Sequence, residues 1–472
     1  LKNQKIGLQY VKKSHIIKIY KEVLVMLIRF SVENFLSFNQ RQVFSMAAGK
    51  HTRHKEQLVV VNGKRVLKAG LVYGANAAGK SNLIKAVNFG KNIALGGVKS
   101  SRTNNKFFRI DPVAMNRPGV FQYDFVSNGH IYSYGFAISY TENVFLAEWL
   151  YLCDNKEVCI FERKAGEKIR TDICFAKEED EQRFNIYSDD VKDSTSFLAE
   201  ICGHKLKEIK DFTPFFDTLD FFSSMVVIFP QTKYRNLEQL FKSDTKESLG
   251  KLLNYFDTGI EEVRTEKRPI EEVLTFLPED IKNDIMNDIQ KAFDEDCEKT
   301  TSSITVTIVG KRFSFKKTSD GNIVGSQLMM NHGNPLDLFE IQDESDGTKR
   351  LFDLIPLYQK GMENGIIFID ELDRSFHTKL TVEFLQKFFG KTEGYPTQLI
   401  VTLHDSNVMN LNIFRQDEIW FMERKEDHSS ELYSLNKFKE RFDHSVAKDY
   451  LLGRYGAIPI FGIDDMDEEK GE

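Results

Sequence analysis

The sequence predicts an α/β protein built on a parallel sheet, with a helical and β-meander lobe inserted into the chain. A glycine-rich turn, Gly74-x-x-x-x-Gly79-Lys80-Ser81, follows the apolar run Ala69 to Tyr73 and opens into a helical pattern. Two later runs, Ile366 to Ile369 and Leu399 to Leu403, have the length and continuous hydrophobicity of strands buried on both faces. Between these ends the pattern changes, first to helix and then to alternating strands.

Taken in order, residues 26 to 48 open as a strand, with Leu27, Arg29 and Ser31 alternating against Ile28, Phe30 and Val32, and run again through Gln42 to Met46. Val59 to Val61, Asn62-Gly63 and Val66 to Tyr73 read as a turn leading into the strand before the glycine loop. "FQYDFV" and "IYSYGFAI" flank Asn128-Gly129, a pair that tolerates positive φ at both positions, so 121 to 138 reads as a hairpin. Residues 193 to 300 read mostly as helix. In "PEDIKNDIMNDIQKAF" Ile281, Ile285, Ile289 and Phe293 share one face, with Pro278 near the helix start. "SITVTIVGKRFSFKKTSDGNIVG" returns to strands, with turns at Gly310-Lys311 and Asp320-Gly321. No heptad pattern persists, so no long coiled-coil arm is expected. The expected organisation is an extension over 1–25, a first part of the main domain over 26–190, an inserted lobe over 191–335, the rest of the main domain over 336–445, and a turn-rich segment with an acidic tail over 446–472.

Composition narrows the class. The chain has 472 residues, enough for two or three domains' worth of packed structure, and 39 phenylalanines point to an aromatic core. Five cysteines (Cys153, Cys159, Cys174, Cys202, Cys297) without a C-x-x-C pair argue against a disulfide framework or zinc site and for a reducing, cytoplasmic setting. Net charge is -6; after the first 25 residues, with six lysines and one glutamate, the rest holds 58 basic and 69 acidic residues. Such a body is no bulk nucleic-acid coat. No stretch reaches the roughly 18 to 20 apolar residues that span a bilayer. Residues 1–25 are expected either to precede the natural start, since Met26 opens the first well-patterned segment, or to form a loose extension.

The chemistry gathers at four places. Gly74 and Gly79 let the backbone of Gly74, Ala75, Asn76, Ala77, Ala78 and Gly79 wrap phosphate groups, with amide N–H groups turned inward. Lys80 then bridges phosphates, Ser81 offers a hydroxyl to Mg²⁺, and Asn82 continues the helix start. "GIIFIDELDRSFH" ends an apolar strand in Asp370-Glu371, where open α/β sheets place ligands. Asp370 suits the Mg²⁺ shell and Glu371 suits polarising an attacking water. Ser345-x-Gly347-Thr348 opens a helix whose Leu351, Leu354, Ile355 and Tyr358 share a face; its free N–H groups and positive dipole end make a second anion site. His404 stands at the tip of the strand Leu399 to Leu403, within reach of a γ-phosphate if that strand neighbours the glycine loop.

This order resembles the ABC-type ATPase heads of the SMC and RecF group, and in particular the AAA-family ATP-binding proteins of bacterial phage-defence loci, relatives of the overcoming-lysogenization-defect ATPases. The resemblance covers most of the chain and rests on "IRFSVENFLSF", "YGANAAGKSNL", "ESDGTKRL", "FIDELDRSFH", "VTLHDSNVM" and "YLLGRYGAIP". It implies a P-loop head binding ATP and Mg²⁺, with Walker A at Gly74 to Ser81, a signature at Ser345 to Thr348, Walker B at Asp370, a catalytic Glu371, D-loop Asp373 and switch His404. It also implies a homodimer closing on nucleotide and a separate effector, a nuclease or a toxin, switched in anti-phage defence.

Several features depart from the family. Asp346 and Thr348 replace the transporters' Gly-Gly-Gln, and Gln122 and Gln231 both remain candidates for the Q-loop glutamine. Only 68 residues follow His404, too few for the Toprim nuclease of some relatives. Two rival readings stand beside this one: a RecF-like head that binds DNA itself in repair, and a self-contained nuclease using Asp464, Asp465 and Asp467. The segment "DYLLGRYGAIPIFG" reads either as a tail packed on the head or as a docking surface presenting Arg454 and Tyr455.

Overall fold

The computed structural model describes residues 24–232, 243–295, 303–309, 311–358, 364–438 and 445–459. Of the expected N-terminal extension over 1–25, Leu24 and Val25 are instead buried in the core, Val25 opening the first strand, and residues 1–23, Cys297, Gly310 and the acids Asp464, Asp465 and Asp467 lie outside the described residues. The chain divides into two compact units: Leu1–Pro230, Gly361–Asp373 and Thr381–Glu472 form one, and Gln231–Lys360 with Arg374–Leu380 form the other.

The first unit contains two six-stranded sheets. One is antiparallel, in the order β2 (Gln42–Ser45), β1 (Val25–Glu33), β6 (Gly119–Ser127), β7 (His130–Ser139), β8 (Val144–Cys153) and β9 (Glu157–Lys164). The β6–β7 turn has Asn128 at φ 50° and Gly129 at φ 84°, the positive-φ pair that the Asn-Gly dipeptide predicts. The other sheet runs β10 (Met225–Ile228), β16 (Ile366–Ile369), β17 (Gln398–Thr402), β5 (Ala69–Gly74), β18 (Ile419–Arg424) and β19 (Ser430–Ser434). Its first five strands are parallel, with Val227 opposite Phe368, Phe368 opposite Ile400, and Val401 opposite Leu71. Every residue of β5, β16 and β17 is buried, which is why these strands read as unbroken apolar runs. A short hairpin, β3 (Leu58–Val61) with β4 (Lys64–Leu67), precedes β5.

The expected start of the inserted lobe at 191 does not coincide with the unit boundary. Helices α3 (Phe197–Cys202) and α4 (Thr213–Ser223) pack into the first unit's core through Phe197, Phe215, Phe221 and Phe222. Phe221 stacks on Phe125 of the antiparallel sheet at 3.9 Å between ring centres. The next residues form β10, an edge strand of the parallel sheet. These aromatics have nowhere else to be buried, so the domain core extends to Pro230.

The second unit holds a sheet ordered β11 (Glu262–Pro269), β14 (Ile323–Asn331), β13 (Lys311–Lys317), β12 (Ile304–Ile308), with β15 (Phe339–Glu340) on β14. Helices α6 (Ile270–Val273) and α7 (Glu279–Glu295) supply Ile270 and Ile289 to a core with Phe313 and Phe315. Ile281, expected on the buried face of α7, is 49% exposed, because contact with the core begins only with Ile285. β11 lies where helix was expected. Helix α8 (Asp346–Leu354) and the turn Ile355–Tyr358 bury Leu351, Leu354, Ile355 and Tyr358 as their spacing predicts. Among the described residues no helix is long and apolar enough to cross a membrane.

Candidate functional site

The glycine loop leaves β5 and enters α1 (Lys80–Gly96), which Leu83, Ile84, Val87 and Ile93 bury against the core. Two positions require glycine. A Cβ on Gly74 would lie 2.2 Å from the Met422 carbonyl oxygen, so the pairing of β5 with β18 continues to its end only without a side chain. Gly79 has φ 111°, and a Cβ there would lie 2.1 Å from Ser430 Oγ. Ala77 is also left-handed, at φ 62°. Gly79 caps α1 with no side-chain hydrogen bond, leaving a helix start of the kind that binds anions.

Two serines distant in sequence hold this loop. Ser430 Oγ donates to the Ala78 carbonyl at 2.6 Å and lies 2.8 Å from Ser37 Oγ. Asn82 Nδ2 donates to the same Ser37 Oγ at 2.8 Å. Lys80 is buried, and its ammonium donates to the carbonyls of Gly74 at 2.7 Å and Ala75 at 3.2 Å. Burial pushes the Lys80 pKa down, while the fields of Asp373, Asp370 and Glu371 oppose that shift.

Those three acids follow β16. The Asp370 amide makes the last ladder bond, to Ile228 O at 2.9 Å, and its carboxylate is buried. Glu371 turns left-handed, at φ 50°, and its Oε1 lies 3.9 Å from His404 Nε2. Asp373 Oδ2 accepts the amides of His404 and Asp405, each at 2.7 Å. Thr402, the last residue of β17, accepts the Glu371 amide at 2.8 Å and donates to Asp370 Oδ1 at 2.7 Å. Since β5, β16 and β17 are parallel neighbours, the glycine loop, the acids and His404 all sit at one sheet edge.

Residues 71–410, well over half of the chain, match the family described as "AAA domain, putative AbiEii toxin, Type IV TA system". The chain belongs to this AAA-domain family. No curated protein matches it in sequence. Among solved structures, the SMC head bound to the C-winged-helix domain of ScpA shares 12% identity over 86% of this chain and 97% of that one, at a TM-score of 0.37. The SMC head domain from Thermotoga maritima shares 12% identity over 86% of this chain and 98% of that one, at a TM-score of 0.34. The α/β P-loop fold expected from the sequence is the fold found.

Of the remaining predicted positions of this AAA-domain chain, Ser345, Gly347, Thr348 and Gln231 lie in the second unit, and Gln122, Arg454 and Tyr455 in the first. Ser345 caps α8: its Oγ accepts the Thr348 amide at 3.1 Å and lies 2.9 Å from Thr348 Oγ1. A Cβ on Gly347 would lie 2.8 Å from the Ser375 carbonyl oxygen, so the close approach of that loop already requires glycine. Gln122 is committed to the antiparallel sheet, donating to Asp124 and Ser133 and accepting from Arg41. Gln231 instead comes three residues after Ile228 at the exit of β10, the strand hydrogen-bonded to the Asp370 amide. Tyr455 is buried and stacks on Phe421 at 5.5 Å, so it packs back on the head and does not present a docking surface. Arg454 pairs with Asp449.

Thr402, Ser37 and Ser430 were missed in the sequence. The one available signal was a threonine inside the apolar run "LIVTL"; the serines give none.

Proposed function

We propose that this AAA-domain protein binds ATP with Mg²⁺ and hydrolyses it as a dimer that closes and reopens with the cycle. In this reading the cycle switches a separate cytoplasmic effector, a toxin or nuclease, in anti-phage defence. The observation that carries the catalytic part is the convergence of Lys80, Asp370, Glu371, Asp373 and His404 at one sheet edge. The toxin–antitoxin wording of the family description supports a toxic output.

The residues fit the nucleotide. The loop from Gly74 to Gly79 bends through two positions that exclude a side chain and opens into a helix start without a side-chain cap, and its backbone N–H groups with Lys80 and Asn82 suit phosphate oxygens. Ser81 and Asp370 would hold Mg²⁺. The metal, when bound, supplies charge neutralisation on the phosphates. Glu371 orients the attacking water and accepts its proton, and His404, beside the Glu371 carboxylate, faces the transferred group. Ser345, Gly347 and Thr348 of a second copy would add the N-terminus of α8 where charge grows, with Asp373 at that junction.

ATP turnover of the purified protein tests the catalytic part, with Lys80→Ala expected to abolish it. Equal turnover in the two proteins would reject the reading. Affinity capture with Glu371→Gln, which should hold the closed state, tests for the effector.

A further inference from the structure

We infer that Thr402 is a positioning residue for hydrolysis, whose single hydroxyl sets the two neighbouring acids into different tasks. The inference rests on the proposed roles of Asp370 and Glu371. Thr402 ends β17 and is fully buried. A hydroxyl carries one proton and accepts through its lone pairs. Here the Glu371 amide donates to Oγ1 at 2.8 Å, and an amide can only donate. The Thr402 proton is therefore directed to Asp370 Oδ1, 2.7 Å away.

The main chain of Thr402 adds a third bond, as its carbonyl accepts the Leu372 amide at 3.1 Å. One residue thus grips three consecutive residues of the turn that leaves β16. That turn needs support, because Glu371 sits at φ 50°, a conformation that L-residues with a side chain resist. The result is visible in exposure: Asp370 is 3% exposed, whereas the Glu371 side chain is 30% exposed and reaches toward His404. One acid is fixed at the strand end, the other turned toward His404. Threonine suits the task better than serine alone, since its β-branch restricts χ1 in a strand.

The test compares Thr402→Val, which keeps shape and loses the hydroxyl, with Thr402→Ser, which keeps the hydroxyl. For Thr402→Val, kcat should fall about tenfold to a hundredfold, the loss typical of removing a residue that orients a metal-site ligand. The Mg²⁺ concentration for half-maximal turnover should rise, while ATP binding measured in EDTA stays unchanged. Thr402→Ser should return most of the turnover and the normal Mg²⁺ requirement. A merely structural role would move the melting temperature and ATP binding together and would not restore Mg²⁺ dependence with serine. If Thr402→Val does not fold, Thr402→Cys, which loses the γ-methyl and keeps only a weak donor, carries the test and should fall between valine and serine. Normal kcat and Mg²⁺ dependence in the valine or cysteine variant, or a serine variant as impaired as valine, would overturn the inference. Lys80→Ala separates the layers. If it too hydrolyses ATP normally, the ATPase reading fails; if it is inactive while Thr402→Val is normal, only the role of Thr402 fails.

Discussion

Lys80 Nζ donates to the Gly74 carbonyl at 2.7 Å, so the loop's lysine is folded into the loop's own mouth. The Gly74 carbonyl ends β5, and the acids Asp373, Asp370 and Glu371 lie within electrostatic reach of the same ammonium. In the proposed function, a phosphate held by the loop meets this cation directly. Lys80→Ala should therefore cut turnover by about a hundredfold or more, the scale of losing one preorganised charge donor. Lys80→Arg should fail as well, because the position is 6% exposed and a planar guanidinium does not fit an ammonium's place between two carbonyls. Steady-state phosphate release checks both variants.

Glu371→Gln keeps the shape of the turn and the amide hydrogen bond to Thr402 while removing the proposed base. ATP binding should persist and turnover should fall by about a hundredfold to ten-thousandfold. Sedimentation velocity with and without ATP then reads the dimer: a nucleotide-dependent increase in mass, greater in Glu371→Gln than in the parent chain, is expected. A monomer under both conditions would count against closure.

These positions were legible because the physics that places them is local or periodic. β5, β16 and β17 are buried on both faces, so each is a continuous apolar word, and each word runs out into a turn bearing chemistry. β10 was not legible. "MVVI" is four residues long, adjoins α4, and a run that short has no period to tell strand from helix. β11 was hidden for the opposite reason. As an edge strand it exposes Glu262, Lys267 and Arg268, and its charged sequence looks like a solvated helix face. In the site, Lys80 and Asp370 could be named from motif spacing. Ser37, Ser430 and Thr402 act through contacts between distant segments, and no local pattern encodes those. Gly347 carries a different lesson: its glycine is already required by the Ser375 carbonyl, so a residue type predicted for phosphate approach has a packing reason of its own.

Gly79→Ala should disable the loop in a way that a second change cannot repair. The new methyl would meet Ser430 Oγ at 2.1 Å, and the backbone at φ 111° is itself unfavourable for alanine. Stability should drop by about 1–3 kcal/mol, with loss of nucleotide binding. Ser430→Ala removes the nearer clashing oxygen but leaves Ser37 Oγ at 2.8 Å from the methyl and the backbone strain. The double variant should therefore recover part of the stability and none of the binding, which denaturant titration and a fluorescent-nucleotide assay would show.

Lys68 offers a prediction about pH. It is buried at the β4–β5 junction and its ammonium donates to the Thr392 carbonyl at 2.8 Å. Burial lowers its pKa from 10.5 to about 8, against the opposing fields of Glu393 and Glu418. Below pH 8 folded and unfolded chains both hold the proton, and the full cost of the buried charge is present. Between about 8 and 10.5 the folded chain releases the proton first, so the unfolded chain binds more protons and stability rises with pH. Lys68→Met removes that dependence while keeping an unbranched side chain in place. The parent chain should therefore gain on Lys68→Met as pH increases from 7 to 10.5, by up to on the order of 3 kcal/mol. Other titrations are common to both proteins and cancel in the difference. The lost bond to Thr392 adds an offset that does not vary with pH. Paired denaturant titrations across that range measure the slope; a flat difference would mean that Lys68 keeps its proton throughout.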